Sequence, residues 1–450
     1  MRNSKRSNSN SRNGNGSSRG RSFGSRNSSG DSSRGSGFNY RSRSRSNSNG
    51  GGRNFSGGFG GGRGRSGGGR NGRGRFNQAT FDPSRLITQV GLQKTNVQAE
   101  PKQEYQVTHQ FGDFNICDQL KSNIANRGYT TPTPIQDQII PHILNGRDVV
   151  GIANTGTGKT AAFLVPLLNK IMENPNEKVL IIAPTRELAL QVRDELMAFA
   201  GNMRIYSAIC IGGSAIGRQI DALRRNPQFV IGTPGRIKDL NQRRKIRFED
   251  FTNIVLDEVD RMLDMGFVHE IRAIIDRLPR DRQSLFFSAT MTSRVKEIMK
   301  GFLVDPVSIS VKTGDTAANV NQEIVKIKGR AKIDVLHDLL ITDGFQKVLV
   351  FGRTKRGAER LSRDLQNRGF KVNAIHGNKS QGQRQRALKQ FREDHVQALI
   401  ATDVIARGLD INNVTHVINY DLPESYEDYI HRIGRTGRAD RIGTALTFVD

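Results

Sequence analysis

The chain has 450 residues, room for two or three domains, and a net charge of +26. Its two cysteines, Cys117 and Cys210, lie far apart and without ligand spacing, which argues against a disulfide framework or a zinc site and suggests a reducing, cytoplasmic setting. The basic charge makes a polyanion the expected partner, and with no run of 18 apolar residues and no apolar signal segment a membrane is not expected.

Residues 1–76 contain no Leu, Ile, Val or Ala and carry 17 Lys and Arg against the single Asp31. Such a segment has too little apolar surface to offset its ordering entropy, and it is expected to be a disordered basic tail rich in RG and RS steps. Phe23, Phe38, Tyr40, Phe55, Phe59 and Phe76 are interleaved among its cations, a pattern that suits stacking on single-stranded nucleic acid. The tail also offers a surface for ribonucleoprotein partners. Residues 77–110 read as a linker. The remaining 374 residues after the tail still carry a net charge of +10.

From about residue 111, β-branched runs alternate with helical patterns. The first series comprises DVVGI, VLIIA at 179–183, IYSAICI at 205–211, NIVL at 253–256 and SLFF at 284–287. Residues 312–321, small and polar, read as a second linker. Then follow EIVKI, KVLVF at 347–351, KVNAI at 371–375, QALIA at 397–401, THVIN at 415–419 and TALTFV. Continuous apolar strands separated by amphipathic helices predict parallel sheets covered on both faces. The expected fold is α/β, with two parallel-sheet domains at 111–311 and 322–450 and a cleft between them.

In such sheets ligands bind beyond the carboxyl ends of the strands, and polar clusters stand there. After DVVGI comes the sequence ANTGTGKT, residues 153–160. Thr155, Gly156, Thr157 and Gly158 form a loop in which the glycines let successive N–H groups face one anion. Lys159 adds a point charge for the β and γ phosphates, and the Thr160 hydroxyl can ligate Mg²⁺. After NIVL come Asp257, Glu258 and Asp260, with Asp257 placed to hold Mg²⁺ and Glu258 to orient or deprotonate water. After SLFF, the hydroxyls of Ser288 and Thr290 are candidates to bond Asp260 and relay nucleotide state. Residues 431–438 read HRIGRTGR; crowding three arginines is costly unless they share an anion, so Arg435 and Arg438 are candidate fingers for a transferring phosphoryl group.

Taken in order, PTPIQ at 132–136, ANTGTGKT, PTRELA at 184–189, Gly212-Gly213, TPGR at 233–236, DEVD, SAT, ATDVIARGLD at 401–410 and HRIGRTGR resemble the motif set of the DEAD-box RNA helicases. The resemblance covers roughly residues 111–450 and implies two tandem RecA-like domains that close on ATP and single-stranded RNA. It makes Gln136 the adenine reader, with Phe111 packing near the base, Asp410 on the ribose, and Arg435 and Arg438 on the phosphates. Asp260, Ser288, Thr290 and His431 would couple the sites. For RNA it implies Pro184, Thr185, Arg186, Gly213, Thr233, Gly235 and Arg236 in the first domain, and Arg353, Gln381, Arg384 and Thr402 in the second. These are mostly small or cationic groups, suited to backbone rather than base contacts.

Two departures stand out. Val259 replaces the alanine that names the family, with at most an altered rate expected. The family also continues into a further helix where this chain ends, so the sheet edge at TALTFV is expected to be less well covered. The implied activity is RNA-stimulated ATP hydrolysis coupled to local separation of short duplexes or remodelling of RNA–protein complexes. The alternatives are an RNA-binding clamp or annealing chaperone with slow turnover, and a DNA helicase of the same superfamily.

Overall fold

The computed structural model describes residues 105–154, 156–311, 319–406, 411, 413–437 and 442–449. In the first lobe the strands are β1 (Val149–Ala153), β2 (Val179–Ile182), β3 (Ser207–Cys210), β4 (Phe229–Gly232), β5 (Asn253–Leu256), β6 (Gln283–Ser288) and β7 (Val307–Val311). They pair in parallel in the order β3-β4-β2-β5-β6-β1-β7. In the second lobe β8 (Val320–Lys326), β9 (Val348–Phe351), β10 (Val372–Ile375), β11 (Ala398–Ala401), β12 (His416–Asn419) and β13 (Gly443–Val449) pair in parallel in the order β10-β11-β9-β12-β13-β8. Both lobes belong to one compact unit.

The apolar runs are continuous because both sheet faces are buried. Successive side chains along a strand point to opposite faces. Accordingly Val149, Val179, Ile181, Leu285 and Phe287 enter one core, while Val150, Leu180, Ile182 and Phe286 enter the other. The second lobe divides likewise, with Leu349 and Phe351 on one side and Val348 and Val350 on the other.

The sheets differ from the sequence expectation at three places. β4 and β7 are additional strands. β4 is only FVIG, wedged between Asn226-Pro227 and the turn at Thr233-Pro234; β7 is a half-exposed edge strand whose alternation breaks the apolar run. β8 starts at Val320, so two residues of the stretch expected as linker are already strand; residues 312–318 of that stretch lie outside the described residues, as do 1–104. Finally, β13 is not an edge. It lies between β12 and β8, because β8 returns to pair along its whole length, and β8 carries the exposed flank.

The topology makes β5, β6 and β1 adjacent, so the loops leaving their carboxyl ends converge. Those loops carry the phosphate-loop, carboxylate and Ser-Ala-Thr motifs. No helix among the described residues is long and apolar enough to cross a membrane.

Candidate active site

Beyond β1 the chain turns through Gly156 and Gly158, both at positive φ (+87° and +91°), which glycine adopts without strain. Gly158 is the N-cap of the helix Lys159–Glu173 and has no side chain to cap it, so the first-turn N–H groups face the loop. A β-carbon on Gly158 would also overlap the Gln136 amide. Lys159 is buried, and its ammonium donates back to the carbonyls of Ala153 (2.5 Å) and Asn154 (3.1 Å). Burial draws its pKa down, while the charges of Asp257, Glu258 and Asp260 act the other way. The Thr157 hydroxyl donates to Asn154 O at 2.8 Å. Thr155 lies outside the described residues.

The helix Pro134–Leu144 is tied to this loop by its own cap. Thr133 N–H donates to Gln136 Oε1 (2.9 Å), Gln136 Nε2 donates to Gly158 O (3.0 Å), and the Thr133 hydroxyl donates to Thr157 O (2.8 Å). Gln136 is therefore bridged to the phosphate loop as well as lining the cleft. Phe111 stands one ring behind. It is buried and edge-on to Tyr129 at 6.1 Å, and Tyr129 and Arg127 line the cleft in front of it.

Opposite the loop, Asp257 and Glu258 follow β5. Glu258 occupies the left-handed region (φ +55°) at the N-cap of the helix Val259–Asp264, a strained conformation for a non-glycine residue of the kind that gathers at functional sites. Its carboxylate pairs with the buried guanidinium of Arg261, three residues on, a partner the sequence reading did not pick out although the i,i+3 spacing was visible. Asp257 is 2% exposed and its Oδ1 has no hydrogen-bond partner. Burial first, then the Glu258 charge, pushes Asp257 up to about 7, against Lys159 and Arg261. Val259 turns away from the cleft into the core formed with Met262 and Phe286, so its added methyls pack behind the carboxylates.

Asp260 is saturated. It accepts from Arg261 N (2.9 Å), Ala289 N (3.1 Å), Thr290 N (2.8 Å) and the Thr290 hydroxyl (3.1 Å), joining the carboxylate loop to the loop after β6. Of the two hydroxyls expected on Asp260, only that of Thr290 arrives. Ser288 donates instead to Thr290 O at 2.8 Å, because it ends β6 and its side chain folds over the turn it precedes.

The second lobe brings Arg435 to the same cleft, a cavity of about 880 Å³ that is also lined by Gly156, Lys159, Thr160, Asp257 and Glu258. Arg435 is buried and donates from Nε to the carbonyl of His431 (3.2 Å), in the last turn of the helix Tyr426–Ile433. Arg432 has a different task. Asp403 grips it with two bonds of 2.6 and 2.8 Å, and its guanidinium lies over Phe351, so the crowding of arginines is relieved by a carboxylate of the protein. Arg438 and Asp410 lie outside the described residues.

The residues expected on RNA fall into two groups. In the first lobe Thr185 caps the helix Arg186–Ala200 by accepting from Leu188 N (3.2 Å), next to the buried Pro184, and Thr233 is the N-cap of the helix Pro234–Gln242, where Gly235 is exposed. Arg186 lies against Gly213, at φ +73°, where a β-carbon would overlap the guanidinium; Arg236 reaches Asp239 (3.6 Å). In the second lobe Arg353 is exposed and Thr402 buried. Gln381 and Arg384, at the start of the helix Gln381–Arg392, both donate across to Glu187 of the first lobe, at 3.2 and 2.5 Å. All three are buried. Glu187 was thus missed as the inter-lobe partner; in the sequence it is one acid on a helix.

A glycine loop opening on a helix, faced by carboxylates from a strand one removed in a parallel RecA-like sheet, defines a P-loop nucleoside triphosphatase. A family model described as DEAD/DEAH box helicase matches residues 133–298, and one described as helicase conserved C-terminal domain matches 331–440. The chain is 46% identical over 345 residues to the DEAD-box ATP-dependent RNA helicase CshA of Bacillus subtilis (strain 168), covering 76% of this chain and 70% of that one. It is 46% identical to the ATP-dependent RNA helicase CshA of Listeria monocytogenes serovar 1/2a, over 75% of this chain and 66% of that one. Among solved structures it is similar to S. cerevisiae Dbp5 bound to RNA and ADP BeF3, with 31% identity, a TM-score of 0.67, and coverage of 75% and 89% of the two chains. The chain belongs to the DEAD-box ATP-dependent RNA helicase family.

Proposed function

We propose that this protein hydrolyses ATP in response to RNA and uses the cycle to open short duplexes locally or remodel RNA–protein complexes. The observation that carries the reading is the shared cleft, with Lys159, Asp257 and Glu258 on one wall and Arg435 on the other. Lys159 and the helix N-terminus would hold the β and γ phosphates, Glu258 would position water, and Arg435, with Arg438, would meet the charge that develops on the transferring group.

Mg²⁺ fits the residues present. The buried Asp257 Oδ1 without a protein partner is the kind of oxygen that a cation or its water completes, and Thr160 lines the same cleft. Bound there, the ion would neutralise phosphate charge.

RNA is the proposed partner, held by its backbone across Arg186, Gly213, Arg236 and Arg353, with the tail adding nonspecific, salt-sensitive affinity. Because nucleotide and RNA would both favour the same closed arrangement, each strengthens the binding of the other. The setting is cytoplasmic. Measuring phosphate release with and without RNA tests the proposal: stimulation is expected, and slow turnover indifferent to RNA would replace it with a clamp or annealing chaperone. Competing RNA, DNA and mixed duplexes separates it from a DNA helicase. Deleting residues 1–76 is expected to flatten the salt dependence of RNA binding, and an unchanged slope would reduce the tail to a spacer.

A further inference from the structure

One buried carboxylate outside the phosphate machinery collects more donors than a core aspartate needs. Asp137, on the helix Pro134–Leu144, has a fully buried side chain. It accepts from the Tyr105 hydroxyl (2.7 Å), the Thr108 N–H (2.8 Å), the Thr108 hydroxyl (3.0 Å), the His109 N–H (3.1 Å) and His109 Nδ1 (2.6 Å). Among the described residues, every donor to this carboxylate comes from Tyr105–His109, a segment in neither helix nor strand, some thirty residues away in sequence. The carboxylate is the fastening that gives this strap its path, since hydrogen bonds to an ionised acceptor are the strong ones.

The strap leads to the cleft by two routes. Asp137 directly follows Gln136, whose amide closes on the phosphate loop. On the other side, the His109 ring lies 5.5 Å from Phe114, Phe114 is edge-on to Phe111 at 5.9 Å, and Phe111 is edge-on to Tyr129, which faces the cleft. Phe111 N–H also donates to Thr130 O. Loosening the strap therefore frees the aromatic column behind the wall at Tyr129, without touching Lys159 or the helix N-terminus that would take the phosphates.

We infer that Asp137 is a positioning residue for the nucleoside end of the bound nucleotide, acting by clamping the Tyr105–His109 strap so that the Phe114–Phe111–Tyr129 column and Gln136 stand in place. This rests on the nucleotide-site reading above. It divides the site into a base half that the strap fastens through the aromatic column and a phosphate half that it meets only through the helix cap at Thr133 and Gln136.

The test is equilibrium binding to the full chain, of ATP and, separately, of inorganic tripolyphosphate, for Asp137→Asn. ATP affinity is expected to fall on the order of tenfold while tripolyphosphate affinity stays as in the parent. Equal weakening of both would overturn the proposal, because it would mean a general loosening of the lobe; so would unchanged ATP affinity. Should Asp137→Asn not fold, Tyr105→Phe combined with Thr108→Ala removes two of the five donors and is expected to show the same split with a smaller shift. The titration needs neither RNA nor turnover, so it remains readable if RNA-stimulated hydrolysis fails.

Discussion

Asp257, which lines the cleft, and Asp137, which lies behind it, are both buried carboxylates, and they are opposites. Asp257 leaves an oxygen without a partner and is pushed up to about 7 by burial and by the Glu258 charge. Asp137 also suffers burial, but the hydrogen bonds from Thr108, Tyr105 and His109 outweigh it and hold the group at about 2. Burying a charge is costly unless it is supplied with partners. The protein supplies Asp137 from its own chain and leaves one oxygen of Asp257 without a partner, so on the proposed reading the degree of satisfaction separates a fastening from a ligand site.

The contrast is broken most forcibly on the under-supplied side. Glu258→Gln is expected to lower phosphate release by about 10² to 10⁴ while ATP still binds, since it removes the base and not the cradle. Fast turnover in that variant would take Glu258 out of its role. Lys159→Ala should cost on the order of 10² to 10³ in turnover and weaken nucleotide binding as well; retention of both would mean that the glycine loop does not hold phosphate.

Stability against pH sharpens the comparison with opposite signs. Asp257, with its folded pKa raised, opposes folding, and this penalty is absent below about pH 4, builds as pH rises from there and is complete above about 7. Asp257→Asn should accordingly raise the melting temperature of the nucleotide-free protein at pH 8 by about 3 °C or more, the gain shrinking as pH falls below about 7 and vanishing only near pH 4. A gain independent of pH would contradict the assignment. Asp137, with its folded pKa depressed, contributes stability above about pH 4 that is lost as pH falls toward 2. The deficit of Asp137→Asn should be constant from pH 8 to 5 and close only in strong acid, and melting curves that converge near neutrality would show that its charge is not what the strap uses.

Much of the first lobe was legible because its chemistry is local. The phosphate loop needs glycines at two nearby positive-φ positions followed by a helix, and Gly156, Gly158 and Lys159 spell that out over four residues. Asp257, Glu258 and Asp260 were legible as polar residues ending an apolar strand, and Thr290 as a hydroxyl within reach of Asp260. What did not show were partners chosen by approach in space. Ser288 was expected on Asp260 and turns to Thr290 O; Arg432 looked like one of three anion-seeking arginines and is held by Asp403, 29 residues earlier. Gln381 and Arg384, read as RNA contacts, meet Glu187 nearly two hundred residues upstream. Residues 105–109, read as the end of a linker, are clamped by one aspartate because that carboxylate, once buried, must find donors wherever the chain can bring them.

By itself the sequence determined which strands exist in most places, that they lie in two parallel sheets, and which short loops carry the glycines, the lysine and the carboxylates. Those properties depend on period-two burial and on backbone conformation, both set within a few residues. Only the tertiary structure decided that β13 is enclosed by β8, that Tyr129 rather than Phe111 faces the cleft, and which buried charges are satisfied and which are left open. Hydrogen bonding in a low-dielectric interior depends on distances of a few ångströms between residues far apart in the chain, and those distances exist only after the sheets have packed.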